Sequence, residues 1–291
     1  MRTIIGHETI REQLVRIAKM PQAPQSFLLA GPQHVGKRMV ALWFARELMG
    51  VAEDIADPLD LLKIAPEVIE TTKQSREKAI PVEVIRELKH FLSRSPSIGK
   101  RRVVMIDKAE KLSTEAANAL LKILEEPPHS SVLILITSEP EHLPATILSR
   151  LFPVSFRPLS SEVLRKAFPE ARDLPQFFFD LGLPGVIVET LEASETFQVK
   201  KEWLRSLFQI SKLPLSARIQ LAETLAKNES TAKDLLEIWS LGLMFQARER
   251  VVTEASGRYA LVVEVLITVR QLVQGEGAFR SALERLLLRF P

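Results

Sequence analysis

The segment Gly31-Pro32-Gln33-His34-Val35-Gly36-Lys37-Arg38 constrains the fold of this chain more than any other. It follows the apolar run Ser26-Phe27-Leu28-Leu29-Ala30 and opens a helical pattern that continues to Met49. Glycines let backbone N–H groups converge on an anion, the helix N-terminus adds a positive dipole, and a lysine reaches the outer phosphates. Strand, turn and helix in immediate succession form the unit from which helix-covered parallel sheets are built. Gly31, Gly36 and Lys37 suit a phosphate cradle, but Arg38 stands where a Ser or Thr hydroxyl would hold magnesium. An ordinary glycine-bearing strand-to-helix turn remains the alternative.

The same alternation runs through the first 157 residues. A helix is expected over Glu8 to Lys19, with Ile10, Leu14, Ile17 and Ala18 on one face, and another after Pro81, carrying Val84, Ile85, Leu88 and Leu92. A weaker strand is expected at Val68-Ile69-Glu70 and a short closing one at Val154-Ser155-Phe156. The runs Val103 to Asp107 and Val132 to Thr137 are continuously apolar, as strands covered on both faces are. Between them a helix is expected from Ser113, a suitable N-cap, to Glu126, where Pro127-Pro128 stops it. From Ser160 onward no strand pattern remains. The expected architecture is an α/β domain with a parallel sheet over 1–157, a small helical domain over 158–192 interrupted at Gly182 to Gly185, and an all-α domain over 193–291. Tyr259 to Val273 and Ala278 to Phe290 are examples of amphipathic segments in the last.

Composition removes several function classes. The chain has no cysteine, which excludes disulfides, thiol catalysis and Cys-ligated zinc. Its five histidines form no i, i+4 pair of the kind a helical zinc site uses. No apolar run reaches the length of a membrane span and the first residues lack a signal-peptide pattern, so a cytoplasmic protein is expected. A net charge of +3 permits contact with a polyanion without arguing for one.

A second candidate residue is Asp107, at the end of its apolar run. In nucleotide hydrolases built on a phosphate loop, an acid there helps hold magnesium, and often the next acid polarises the attacking water. Here the next residue is Lys108, and an ammonium group cannot accept a proton. Glu110 would need an unusual backbone path to substitute. A strand-end carboxylate capping a nearby turn is the alternative for Asp107. Two cations thus stand where one reaction needs a hydroxyl and a base. Each such loss costs on the order of a hundredfold in rate, so hydrolysis in cis is not expected. Lys37 and Arg38 still attract phosphate.

The stretch Ala116-Ala117-Asn118-Ala119-Leu120-Leu121-Lys122-Ile123-Leu124-Glu125-Glu126-Pro127-Pro128 resembles the signature of the bacterial clamp-loader AAA+ family. So does Leu143-Pro144-Ala145-Thr146-Ile147-Leu148-Ser149-Arg150, in order after the phosphate loop and Asp107. The motifs cover roughly the first 185 residues. The resemblance implies an AAA+ module, a helical lid and a helical collar that assembles into a ring. It also implies that Ile4-Ile5-Gly6-His7 lies near an adenine pocket, that Thr137 or Ser138 senses phosphate, and that Arg150, with Ser149, is a finger reaching a neighbour's γ-phosphate. A guanidinium suits that role because it stays charged and donates two parallel bonds; a structural salt bridge is the alternative.

Leu151 replaces the family's Cys after the arginine, no Arg appears over Gly182 to Val186 where motor subunits often carry one, and Val51 to Leu62 occupies the place of a zinc module. The Leu151 change matters little and the missing zinc module is only compatible with a stator. Arg38 and Lys108 in the cis site, the missing lid arginine and the retained Arg150 imply a stator-type subunit of DNA polymerase III supporting ATP-dependent loading of the sliding clamp onto primed DNA. It would have motor (gamma/tau) and delta subunits as partners, indirect contact with the clamp, and primer-template DNA as a further candidate contact. No cofactor is required, no metal site is expected, and ATP with magnesium can be held only without turnover. A motor-type (gamma/tau-like) ATPase and an AAA+ protein acting on DNA outside replication are the competing readings.

Overall fold

The computed structural model describes residues 4–51, 58–70, 75–172, 174, 176–192, 209–227, 232–233, 235–236, 239–240, 267–269 and 279–289. The chain divides into two compact units, the first comprising Met1–Ile69, Arg76–Ala167 and Gly182–Gly185, the second Glu70–Ser75, Phe168–Leu181 and Val186–Pro291.

The first unit is built on five parallel strands: β1 (Ser26–Ala30), β2 (Leu61–Ile64), β5 (Arg102–Ile106), β6 (Ser131–Thr137) and β7 (Phe152–Ser155), in the spatial order β2-β5-β6-β1-β7. Every residue of β5 and β6 is buried, which explains their unbroken apolar sequence: helices cover both faces. On one face Leu28, Val104, Ile106, Leu133 and Leu135 pack with Ile85, Leu88 and Leu92 of α3 (Val82–Leu92) and Leu120, Ile123 and Leu124 of α4 (Thr114–Glu125). On the other, Phe27 meets Phe44 of α2 (Lys37–Met49) edge to face, 5.1 Å between centroids. Helix α1 (Glu8–Ala18) lies against α2. Ser113 caps α4 as expected, its hydroxyl accepting from the Ala116 N–H at 3.1 Å.

Three elements differ from the sequence expectation. The edge strand β2 was not foreseen. Val68–Glu70 (β3) is a strand, but it pairs with Ser75–Glu77 (β4) in a separate two-stranded sheet. The closing strand begins at Phe152 and ends at Ser155, because its register is set by pairing Phe27 with Phe152 and Ala30 with Ser155.

In the second unit Phe178, Phe179, Val186 and Ile187 are buried, as are Leu235, Leu236 and Trp239. The helices Leu215–Lys227 and Phe279–Arg289 pack together. The buried Arg218 donates from Nε to the Leu213 carbonyl at 3.0 Å and from Nη1 to the Leu287 carbonyl at 3.5 Å, placing its charge at a helix C-terminus. The second helix matches the segment expected over Ala278 to Phe290. Most of the expected helix Tyr259 to Val273 lies outside the described residues.

A strap at residues 97–100 ties two ends of the first unit together. Asp60, fully buried just before β2, accepts backbone N–H bonds from Ser97 (2.7 Å), Ile98 (2.8 Å) and Gly99 (2.8 Å). The Lys100 N–H donates to the Met49 carbonyl at the end of α2 (2.9 Å). Arg102 approaches Asp60 to 3.7 Å, donates to the Ser95 and Phe91 carbonyls, and lies over the Phe91 ring. Burial alone would raise the Asp60 pKa; the three N–H donors and Arg102 outweigh it and hold the carboxyl below its usual value. Replacing Asp60 by Asn removes the charge that satisfies this cluster and is expected to cost about 3 kcal/mol, seen as a lower urea midpoint at neutral pH.

Candidate functional site

The carboxyl edge of the sheet gathers the phosphate-loop residues with Asp107 and Thr137. The Gly31 N–H donates to the Thr137 carbonyl at 3.3 Å, and the chain turns away at φ 152°. A Cβ on Gly31 would lie 2.6 Å from the Phe156 carbonyl oxygen, so a side chain does not fit there. His34 and Gly36 carry further left-handed backbone, at φ 59° and 106°, before α2 begins at Lys37.

Neighbours within the first unit also hold the loop. The Gly185 N–H donates to the His34 carbonyl at 2.8 Å. His7 reaches the Val35 carbonyl from Nε2 at 2.9 Å, which requires the proton on that nitrogen, and its ring meets Phe156 edge-on. Burial lowers the His7 pKa; the Val35 carbonyl and Glu8 act in the opposite direction without cancelling it.

Lys37 is only 7% exposed, and its ammonium donates to the Gly31 and Pro32 carbonyls at 2.6 Å each. Burial pushes its pKa down to about 8, opposed first by Glu110 and then by Asp107. Arg38 is 71% exposed, with Nε 3.7 Å from Asp107 Oδ2. Asp107 Oδ1 accepts the Lys108 N–H at 3.0 Å, so this carboxylate also caps its own turn.

Lys108 adopts φ 52° and sends its ammonium to Glu77. That left-handed residue supplies the unusual backbone path that Glu110 needs. It leads into the turn Ala109–Lys111 and brings Glu110 against the end of β6. Thr137 Oγ1 donates to Glu110 Oε2 at 2.7 Å and Ser138 Oγ donates to Oε1 at 3.1 Å. Thr137 Oγ1 also accepts from the Glu139 N–H at 3.1 Å. The sequence named Glu110 only as a substitute acid; its pairing with Thr137 and Ser138 carried no signal, because the route depends on a left-handed lysine.

Arg150 lies elsewhere. It follows the short helix Ala145–Leu148 and precedes β7, whose Phe152 pairs with Phe27 near the start of β1. It therefore sits at the amino edge of the sheet, about 16 Å, the length of a five-residue strand, from the loop. Its guanidinium donates to the Thr146 carbonyl (2.9 Å), Ser149 Oγ (3.4 Å) and Glu125 (2.8 Å). Ser149 and Arg150 line an open cavity of about 360 Å³ with Pro24, Leu124, Pro127 and Phe152. Among the described residues, no three His, Cys, Asp or Glu are grouped to hold a metal ion, and no helix is long and apolar enough to cross a membrane.

A family model described as DNA polymerase III, delta subunit, matches residues 6–160. The chain is 34% identical over 161 residues to DNA polymerase III subunit delta' of Pseudomonas aeruginosa, covering 51% of this chain and 49% of that protein. It is 30% identical over 197 residues to subunit tau of Bacillus subtilis, covering 65% of this chain and 34% of that protein. The chain thus spans about half the length of the first relative and about a third of the second. In structure it resembles a gamma subunit-related protein of Thermotoga maritima, with TM-score 0.51, 20% identity, and 95% of this chain and 97% of that one covered. It also resembles the Thermotoga maritima RuvB Holliday junction branch migration motor, with TM-score 0.50, 16% identity, and 84% and 88% covered. These likenesses identify the fold as α/β of the AAA+ type with a helical C-terminal part.

The lowered His7 pKa makes a specific pH dependence. The folded chain prefers neutral His7, so its contribution is complete above the usual value of 6.5 and is lost as pH falls below it. Between about pH 7 and about pH 5, the melting temperature of the wild-type chain is expected to fall more steeply than that of His7→Gln. Parallel slopes would contradict this.

Proposed function

The chain belongs to the DNA polymerase III, delta subunit family, and from that premise we propose that it is a delta-prime-like stator subunit of the bacterial clamp loader. In this reading it supports ATP-dependent loading of the sliding clamp during DNA replication. It partners motor (gamma/tau) and delta subunits and lends Arg150 to a neighbour's ATP site. The observation that carries the reading is the separation of Arg150 from its own phosphate loop by the length of β1. An arginine side chain does not bridge about 16 Å, so Arg150 does not serve its own loop, which supports a role at a neighbour's site.

The loop side supports the same reading. The residues there do not suit magnesium-dependent hydrolysis. Position 38 offers a guanidinium beside Asp107 instead of a hydroxyl, and Lys108 is directed to Glu77. Thr137 has already committed its hydroxyl proton to Glu110. No cofactor is needed for a stator. The Arg150–Glu125 ion pair is compatible with a finger because both side chains are substantially exposed, and such pairs contribute at most about 1 kcal/mol.

A motor-type ATPase is the second reading, favoured by the match to subunit tau and by the retained Gly31, Gly36, Lys37 and Asp107. The two part on one assay. The isolated chain is expected to show no magnesium-dependent ATP turnover; turnover abolished by Lys37→Ala would establish the motor instead. When the chain is reconstituted with motor and delta subunits, Arg150→Ala is expected to lower DNA-stimulated ATPase by on the order of a hundredfold. The complex should still elute intact in gel filtration. An unchanged rate would remove the finger role.

A further inference from the structure

Glu110 has no part in the finger role, yet its carboxylate is the most heavily engaged acid at the loop. One oxygen takes the Thr137 hydroxyl at 2.7 Å and the other takes the Ser138 hydroxyl at 3.1 Å. Thr137 is 1% exposed and spends its only hydroxyl proton on Glu110. Of the acids acting on the buried Lys37 ammonium, Glu110 acts most strongly and Asp107 second. A terminal phosphate entering the loop would call on the same kinds of donor: a lysine cation and hydroxyl protons at the end of the neighbouring strand.

We propose that Glu110 is a resident anion that occupies the Thr137 and Ser138 hydroxyl protons a terminal phosphate would use, and so makes this loop discriminate against nucleoside triphosphates. Two anions cannot share one set of donors without repulsion, so a triphosphate must displace or protonate Glu110. A diphosphate lacks the competing group and is spared most of that cost. Specificity then arises from an interaction built against one ligand.

The proposal goes beyond the stator reading: it rests on the loop of Gly31, Gly36 and Lys37 being a phosphate site and is independent of Arg150. The purified full-length chain and Glu110→Gln are titrated with fluorescent ATP and ADP analogues and followed by anisotropy. Gln keeps the length and one carbonyl oxygen for Thr137 while removing the charge. The wild-type chain is expected to bind the ADP analogue more tightly than the ATP analogue. In Glu110→Gln the ATP analogue is expected to bind about tenfold more tightly, with less than about threefold change for ADP. Glu110→Ala is expected to shift in the same direction, and Glu110→Asp to keep the wild-type preference, with melting curves recorded for each. Tighter wild-type binding of the ATP analogue overturns the proposal, as do equal ATP affinities in wild type and Glu110→Gln, or binding of neither analogue by either chain. The ATPase of the reconstituted complex does not enter this titration, so the two proposals fail separately.

Discussion

Three parallel strands, with Ala30 opposite Thr137 and Ile106 opposite Leu135, fix where every group at the carboxyl edge can stand. The ladder is secured by burial on both faces, not by turns: Phe27 and Leu28 point to opposite helical layers and both are nearly inaccessible to solvent. A slip of one residue would shift an edge by about 3.3 Å and exchange the two layers. At that distance Thr137 would no longer reach Glu110, and Gly31 would lose its bond to the Thr137 carbonyl.

Onto this rigid edge the chain places a set of charges that nearly balance locally. Arg38 faces Asp107, Lys108 faces Glu77, and the buried Lys37 lies in the field of Glu110 and Asp107. Each cation that departs from a hydrolytic pattern has found an acid. The edge is consequently stable as an internally satisfied cluster, and strong phosphate attraction is not required to hold it together.

Much of this was legible in the chain itself. Continuous apolar runs announced β5 and β6, Ser113 and Pro127 bracketed α4, and the glycines with Lys37 marked the loop. The misses have identifiable causes. Strand β2 is four residues long at the edge of the sheet, with an exposed Lys63 interrupting its apolar run, so it carries too little periodicity to read. Glu110 enters because Lys108 is left-handed, a conformation usually signalled by glycine or asparagine and not by lysine. Asp60 belongs to no motif, since its partners are backbone N–H groups, which no residue type advertises. The helices over 158–192 were legible as helices, whereas the close approach of Gly185 to the His34 carbonyl is a tertiary contact without a local signal.

The strap at residues 97–100 has a consequence for how this architecture tolerates change. It grips the last turn of α2 through Met49 and the approach to β2 through Asp60, so both ends of the intervening stretch are moored to one short piece of backbone. The cost of closing a loop between fixed ends grows only logarithmically with its length. A whole extra module can therefore be spliced in or dropped between those moorings while the sheet and its phosphate-facing edge stay as they are.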